Sequence, residues 1–371
     1  MIKIITRISA KTYSSVVKRI IFKFDPEKVH DKTITLAKIS GRINPISFLI
    51  NKAWSYNDQA LSQKVDGISY ANPIGLAAGW DKNAETIKLM PSLGFGFTEV
   101  GSITKDSYAG NDGTRLWRLP KSKSIMVYYG LKNIGVDIIA PRINSQHVDI
   151  PVGTNIARTN SKDCSDDNVS IEDYAYSFRK LAIIGDYFTV NISCPNTFGG
   201  QPFHEKHKLD LLLTKLDSIP TKKPIYLKIS PDISMKERED IAKLTFKHRV
   251  NGIICGNASK NHQLTTIKEK NLPAVGGLTG KVIQKLSDEL ISDMYRLTEG
   301  KKTIIGLGGV FTAEDAYTKI KLGASLVQMV TGLIYQGPQV VGQINHDLSK
   351  LLQKDGYNNI SDAIGSLDKI D

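Results

Sequence analysis

The chain from Asn72 onward repeats one pattern, in which a short apolar run ends in small or polar residues and a helix-length stretch follows. Eight such units are typical of a closed (β/α)8 TIM barrel, and the length from residue 72 to residue 371 suits that fold. An open doubly wound sheet fits less well, because no GxGxxG motif follows the first strand. The predicted strands span residues 73–79, 96–102, 150–157, 187–193, 225–230, 251–257, 303–309 and 325–330.

Positive charge is concentrated at the start of the chain. The formal net charge is +12, and residues 1–24 hold six basic residues and no acidic one. Their apolar residues recur at helical spacing, which predicts a basic amphipathic helix that lies on a membrane rather than crossing it. Two alternatives stay open: the apolar stripe could pack on the protein's own body, or the segment could be a mitochondrial targeting sequence. The stripe consists of Tyr13, Val16, Val17, Ile20, Ile21 and Phe24.

Residues 25–60 continue this helical unit. Asp25 is expected to cap a helix that has Pro26 at its first position, and Gly41 is expected to stop it. Residues 42–56 are also expected to be helical. We therefore divide the chain into an amphipathic helical unit at residues 1–60, expected to associate with a membrane, and a barrel at residues 61–371.

The three cysteines indicate neither disulfides nor a metal site. Cys164, Cys194 and Cys255 form no CxxC pair and have no metal-ligand spacing with the seven histidines. The chain is therefore expected to face a reducing compartment and to hold no metal.

Polar and small residues collect at the predicted strand ends, where barrel enzymes build their active sites. The glycines after the seventh strand, with Thr312 capping a helix that has Asp315 at its third position, and the loop "VTGLIYQGP" after the eighth strand together indicate a cradle for a phosphate. A buried lysine is unfavourable unless it meets an anion, so the two strand-end lysines indicate an anionic ligand. The candidate residues are Lys82, Ser102, Asn155, Asn191, Cys194, Asn196, Lys228, Asn257, Gly280, Gly308, Gly309 and Thr331.

The motifs "NPIGLAAGWDKNAE", "GFTEVGSIT", "NISCPNT", "KISPD", "GGLTG" and "IIGLGGVFTAEDAYTKIKLGASLVQMVTG" together resemble dihydroorotate dehydrogenases. The resemblance runs from about Phe22 to Pro338. "FKFDPEKVH" and "NDGTRLWRLP" are similar to the membrane-associated, quinone-linked class 2 branch. The resemblance implies an FMN-containing barrel that oxidises dihydroorotate to orotate in pyrimidine biosynthesis, with quinone as electron acceptor.

The resemblance also implies roles for individual residues. His30 and Arg118 match residues of the quinone tunnel, although His30 could be a plain helix residue and Arg118 a surface partner. Substrate contacts fall on Lys82, Gly130, Leu131, Asn191, Asn196 and Asn257. Flavin contacts fall on Ala77, Ala78, Gly79, Lys82, Ser102, Asn155, Asn191, Lys228, Gly280, Gly308, Gly309, Val330 and Thr331.

Cys194 is the expected catalytic base. Oxidising a carbon–carbon bond beside a carbonyl needs a group that removes a proton while a hydride leaves toward the flavin. A thiol has a pKa near 8.5, and nearby Lys82 and the flavin site are expected to lower the pKa of Cys194. The alternative is an inert buried thiol. Class 2 relatives normally carry serine here, so the chain resembles class 1 at this position.

Other departures from the family pattern leave the substrate open. Val127 stands where an asparagine begins the substrate loop, Lys132 occupies a usually neutral position, Ala258 replaces a hydroxyl residue and Val330 a polar one. A divergent paralogue acting on another dihydro-heterocycle therefore remains an alternative. An RNA-modifying enzyme of the dihydrouridine synthase type is a weaker alternative, because half the net charge lies in residues 1–24 and no nucleic-acid partner is expected. We expect a peripheral protein on the cytoplasmic side of the cell membrane, or alternatively on the mitochondrial inner membrane.

Overall fold

The computed structural model describes residues 2–367 and is built around a closed barrel of eight parallel strands. Each strand pairs with the next along the chain, and the eighth pairs with the first in the register Val327 to Ile74. The TIM-barrel prediction is confirmed, and all eight predicted runs supply barrel strands. The strands are Ile74–Leu76, Phe97–Ile103, Val152–Ile156, Tyr187–Asn191, Ile225–Ile229, Gly252–Cys255, Thr303–Leu307 and Leu326–Met329.

Helices follow the barrel strands along the chain, except that a 3-10 helix at Ile87–Leu93 follows the first strand. Capping boxes fix the starts of two of these α-helices, one at Ser234 with Glu237 and one at Thr312 with Asp315, as predicted for the second. The helices are Val136–Asn144, Asp167–Leu181, Lys206–Asp217, Met235–Lys247, Gln284–Leu297, Ala313–Lys321, Thr331–Gln336 and Val340–Lys354.

Aromatic side chains fill one end of the barrel. Gly75 leaves room for the Phe97 ring, since a Cβ at that glycine would lie 2.2 Å from a ring carbon. The hairpin of Gln63–Val65 and Ile68–Tyr70 packs on this cluster, and the Tyr226 hydroxyl donates to Asp66 Oδ2 at 2.8 Å. The packed end leaves the opposite end of the barrel for a ligand.

A small antiparallel sheet lies beside the carboxyl ends of the strands. It consists of Leu116–Leu119, Ser124–Val127 and Gly277–Gly280, with the middle strand pairing with both neighbours. Two residues of the sheet, Met126 and Leu278, are fully buried. This sheet brings the loop that begins at Val127 into contact with the barrel.

The N-terminal unit is helical, as predicted, with segments Ile2–Thr12, Tyr13–Val17, Lys18–Ile21, Pro26–Arg42 and Asn44–Trp54. The Asp25 side chain accepts from the Lys28 amide, which confirms the predicted cap. The prediction that Gly41 stops the helix is wrong, because the helix continues to Arg42. A Cβ on Gly41 would lie 2.8 Å from the Leu89 backbone nitrogen, so this glycine permits close packing on the barrel.

The first helical segments both pack on the body and expose apolar side chains. The Tyr13 hydroxyl donates to the Ile334 carbonyl oxygen at 2.7 Å, and the Phe22 ring meets the Tyr335 ring edge to face. Val16, Ile20 and Phe24 are 51%, 53% and 61% exposed. Within residues 2–367, no helix is long and apolar enough to cross a membrane.

Candidate active site

A cavity opens at the carboxyl ends of the barrel strands, between the strand ends, the small sheet and helix Pro26–Arg42. Most residues proposed from the sequence line this single space. They are His30, Ala77, Ala78, Gly79, Lys82, Ser102, Gly130, Leu131, Asn191, Cys194, Asn196, Lys228, Asn257, Gly308, Gly309, Val330 and Thr331.

Three of the proposed residues do not line the cavity. Asn155 lies behind Ser102, whose hydroxyl donates to Asn155 Oδ1 at 2.5 Å. Gly280 lies beside Thr331, and a Cβ at Gly280 would approach the Thr331 methyl to 2.8 Å. Arg118 donates to the Phe24 carbonyl oxygen at 2.8 Å, so it holds the end of the N-terminal helical segment.

A chain of hydrogen bonds connects the strand-end carboxamides to Glu99. Asn257 Nδ2 donates to Asn191 Oδ1 at 3.2 Å, and Asn191 Nδ2 donates to Ser102 Oγ at 2.8 Å. Ser102 donates to Asn155, which in turn donates to Glu99 Oε1 at 2.8 Å. Because each carboxamide uses both its donor and its acceptor, the network holds these side chains in fixed orientations.

Glu99 was not proposed from the sequence. It is fully buried, and it also accepts hydrogen bonds from Thr189 Oγ1 at 2.9 Å and from Gln328 Nε2 at 2.8 Å. A single carboxylate inside the apolar run "GFTEVGS" was a visible signal, because carboxylates are rarely buried without partners. Glu99 is the anchor of the network rather than a residue of the cavity wall.

Cys194 lies in the cavity wall just after the fourth strand, but its pKa is not lowered. Burial raises the pKa of this thiol to about 11, and the Asn196 amide with the charges of Arg158, Lys260 and Lys228 offsets only part of that effect. The expectation of a lowered pKa is therefore wrong, because removal from water outweighs the nearby cations. The thiol is the predominant form at neutral pH.

Asn196 is oriented by the backbone of the loop that begins at Val127. Its Nδ2 donates to the Val127 carbonyl oxygen at 2.9 Å, which fixes the carboxamide whatever side chain stands at position 127. The Asn196 side-chain oxygen makes no hydrogen bond within the described residues. It can accept a ring N–H from a ligand.

Lys82 joins the barrel to the N-terminal unit. Its ammonium lies 3.1 Å from His30 Nε2 and 4.4 Å from the centre of the Tyr129 ring. Burial lowers the pKa of Lys82 to about 8, with the charge of Lys132 as the next cause. Burial, followed by Lys82 and Lys132, holds the pKa of His30 well below its usual value, so His30 is a neutral acceptor.

Lys228 is a buried cation that faces the cavity. It is 3% exposed, and its ammonium makes no hydrogen bond to any described residue. Burial lowers its pKa, which the charges of Glu99 and Cys194 counteract. An unpaired buried ammonium fits a ligand that carries or develops negative charge beside it.

The glycine loop after the seventh strand offers backbone donors. The Gly309 amide makes no hydrogen bond to any described residue, and φ is +73° there. The predicted helix cap is formed within the protein, because Asp315 already accepts hydrogen bonds from the amides of Phe311 and Thr312 at 2.9 and 3.1 Å. The Gly309 amide is therefore available to an anion, whereas the amides of Phe311 and Thr312 are not.

Comparison with known proteins identifies the family to which this chain belongs. Residues 60–352 match the family model described as dihydroorotate dehydrogenase. Proteins named dihydroorotate dehydrogenase (quinone) from Trichodesmium erythraeum and Sulfurimonas denitrificans are 38% and 37% identical, over 96% and 94% of this chain and 99% and 97% of theirs. A crystal structure of DHODH from Eimeria tenella in complex with ferulenol is similar, with TM-score 0.83, 30% identity, and coverage of 92% of this chain and 95% of that one. The chain belongs to the dihydroorotate dehydrogenase family.

Proposed function

We propose that this protein oxidises dihydroorotate to orotate, the pyrimidine-biosynthesis reaction, and passes the two electrons to a quinone. One observation carries the proposal. A single cavity combines the thiol of Cys194 and the strand-end carboxamides with His30 from the N-terminal helices. The quinone-type relative from Trichodesmium erythraeum matches 96% of this chain.

The chain's own residues supply binding and proton transfer. Cys194 takes the proton from the ring carbon adjacent to the one that loses a hydride. Asn196 accepts a ring N–H, and Asn191 and Asn257 hold the remaining ring amide. Lys82 pairs with the substrate carboxylate. The substrate loses a hydride, which carries two electrons and one proton, and it loses a second proton to Cys194. These two electrons and two protons are what the conversion of a quinone to a quinol requires.

Dihydroorotate dehydrogenases are flavoproteins, and we propose FMN as the flavin of this chain. Bound FMN would supply the two-electron acceptor for the hydride. Lys228 is suited to stabilise its reduced form. The loop glycines Gly308 and Gly309, with Thr331, are suited to a single terminal phosphate.

The first prediction concerns the cofactor and the reaction together. Heat-released cofactor from the purified protein is expected to run as FMN on chromatography. Dihydroorotate is expected to bleach the flavin anaerobically, and added quinone to restore its colour. FAD in the extract would contradict the cofactor assignment. FMN that bleaches only with another dihydro-heterocycle would favour the paralogue alternative, which Val127 and Ala258 in the cavity wall raise.

We further propose that the N-terminal helices rest on the surface of the membrane that holds the quinone. Residues 1–24 carry six positive charges and no negative one. Exposed apolar residues occur in this segment and also in helices Pro26–Arg42 and Asn44–Trp54. Leu36, Phe48 and Leu49 are 65%, 60% and 65% exposed. An exposed apolar side next to a basic polar side is typical of a helix that binds anionic lipid.

The second prediction tests this face. The triple variant Val16→Ser, Ile20→Ser, Phe24→Ser is expected to lose most binding to anionic liposomes and to turn over long-chain quinones poorly. It should still reduce soluble dyes, because these side chains do not line the cavity. Ile183→Ser is the matched control, since Ile183 is 90% exposed elsewhere. Equal liposome binding by the triple variant and the control in a sedimentation assay would contradict the proposal.

A further inference from the structure

Two cations of the cavity wall influence each other electrostatically. Lys82 and Lys132 both line the cavity. After burial, the charge of Lys132 is the largest cause of the lowered pKa of Lys82, and it also contributes to the lowered pKa of His30. Including Lys228, the described residues of the cavity wall contain three lysines and no carboxylate. The wall is therefore electropositive on the side of the substrate loop.

Glu27 orients Lys132 from helix Pro26–Arg42. Its Oε1 lies 3.1 Å from Lys132 Nζ. The same carboxylate receives two hydrogen bonds from Arg115, with Nη2 to Oε1 at 2.6 Å and Nε to Oε2 at 3.1 Å. One carboxylate shared by two cations leaves a net positive charge, and the ammonium retains two of its three donors for a ligand.

The rest of the substrate loop offers no charged group to an anion. Val127 contributes an apolar side chain to the cavity wall, and its carbonyl oxygen is occupied by Asn196. Gly130 and Leu131 have no polar side-chain atoms. Lys132 is therefore the residue of this loop that can pair with a carboxylate.

We propose that Lys132 is a specificity-determining residue that binds the substrate carboxylate together with Lys82, while Glu27 holds its ammonium in place. The inference rests on the proposed function, since it takes dihydroorotate as the substrate and orotate as the product. Both molecules carry a carboxylate that their methyl esters lack. Recognition by two cations should favour the acids strongly over the esters.

The test compares orotate with its methyl ester by titration calorimetry, using the flavin-loaded protein. Lys132→Gln is expected to weaken orotate binding about tenfold or more and the ester less than twofold. In steady-state assays of the same variant, KM for dihydroorotate should rise while kcat changes little, because the carboxylate is bound equally before and during reaction. Lys132→Arg keeps the charge and should stay within a few-fold of wild type.

Lys64→Gln is the control, because it removes the same charge from an exposed position on the hairpin Gln63–Val65. The proposal is overturned if Lys132→Gln weakens acid and ester equally, or if it leaves orotate binding within twofold of wild type. It is also overturned if wild-type protein binds the ester as tightly as the acid. Wild-type protein that binds neither orotate nor dihydroorotate would instead refute the proposed function.

Discussion

Replacing Cys194 by alanine is expected to slow flavin reduction by dihydroorotate by about 10²–10⁴-fold, the usual contribution of a positioned general base. Flavin should stay bound, because the thiol contributes one small part of the cavity wall. Stopped-flow bleaching under anaerobic conditions measures the effect. Cys164→Ala is the matched control, since this buried thiol lies outside the cavity and contacts Asp173.

The pH dependence of the same reaction should lie at higher pH than the sequence suggested, because the pKa of Cys194 is raised rather than lowered. Burial raises the pKa of Cys194 to about 11, so the thiolate fraction grows with each pH step above neutrality. The rate at saturating substrate should keep rising beyond pH 9, instead of levelling at the lower pH that a lowered pKa would give. Saturation matters because Lys82, with a pKa lowered to about 8, loses its charge over the same range.

Serine at position 194 should give partial activity with its pH limb moved further upward, since a hydroxyl ionises far above a thiol. An alanine variant that bleaches within a few-fold of wild type would place the base elsewhere. Lys82 would then be the leading candidate, because it lines the same cavity and has a pKa lowered to about 8.

The barrel could be predicted from sequence because buried parallel strands are short apolar runs, and eight of them alternate with helix-length segments. Strand bounds were less predictable. The run at residues 73–79 forms a strand only over Ile74–Leu76, since the chain then turns into the cavity wall. Residues at strand ends come together in any such barrel, which is why most of the proposed site residues share one cavity.

Contacts between distant segments could not be predicted. Glu27 and Arg115 are 88 positions apart, and the sequence around either residue does not indicate that the two form an ion pair. Gly41 looked like a helix stop because glycine commonly ends helices, but here it permits close packing on Leu89. The raised pKa of Cys194 was missed for the same reason, since the loss of hydration depends on what the fold packs around the thiol.

Lys228→Met is expected to lower flavin content and to slow flavin reduction at least about a hundredfold, the cost of removing one preorganised electrostatic partner. The same change should leave the unfolding midpoint of the flavin-free protein unchanged or higher. A lysine whose pKa is lowered by folding destabilises the folded state at neutral pH, below its unfolded pKa of 10.5, and methionine removes that penalty. Cofactor absorbance and thermal unfolding measure the two effects separately.

Lys319→Met is the matched control, because Lys319 is also buried with a lowered pKa, but its loss would leave the carboxylate of Asp288 buried without its ion-pair partner. Its ammonium lies 2.6 Å from Asp288 Oδ1 and 2.9 Å from Ser287 Oγ. Removing one partner of a buried ion pair typically destabilises by about 3–5 kcal/mol, so this variant should unfold at a clearly lower temperature. Opposite effects of the two substitutions on the flavin-free protein would assign Lys228 to the ligand rather than to the fold. A large loss of stability in Lys228→Met, with normal flavin content in the protein that remains folded, would show that Lys228 serves the barrel instead.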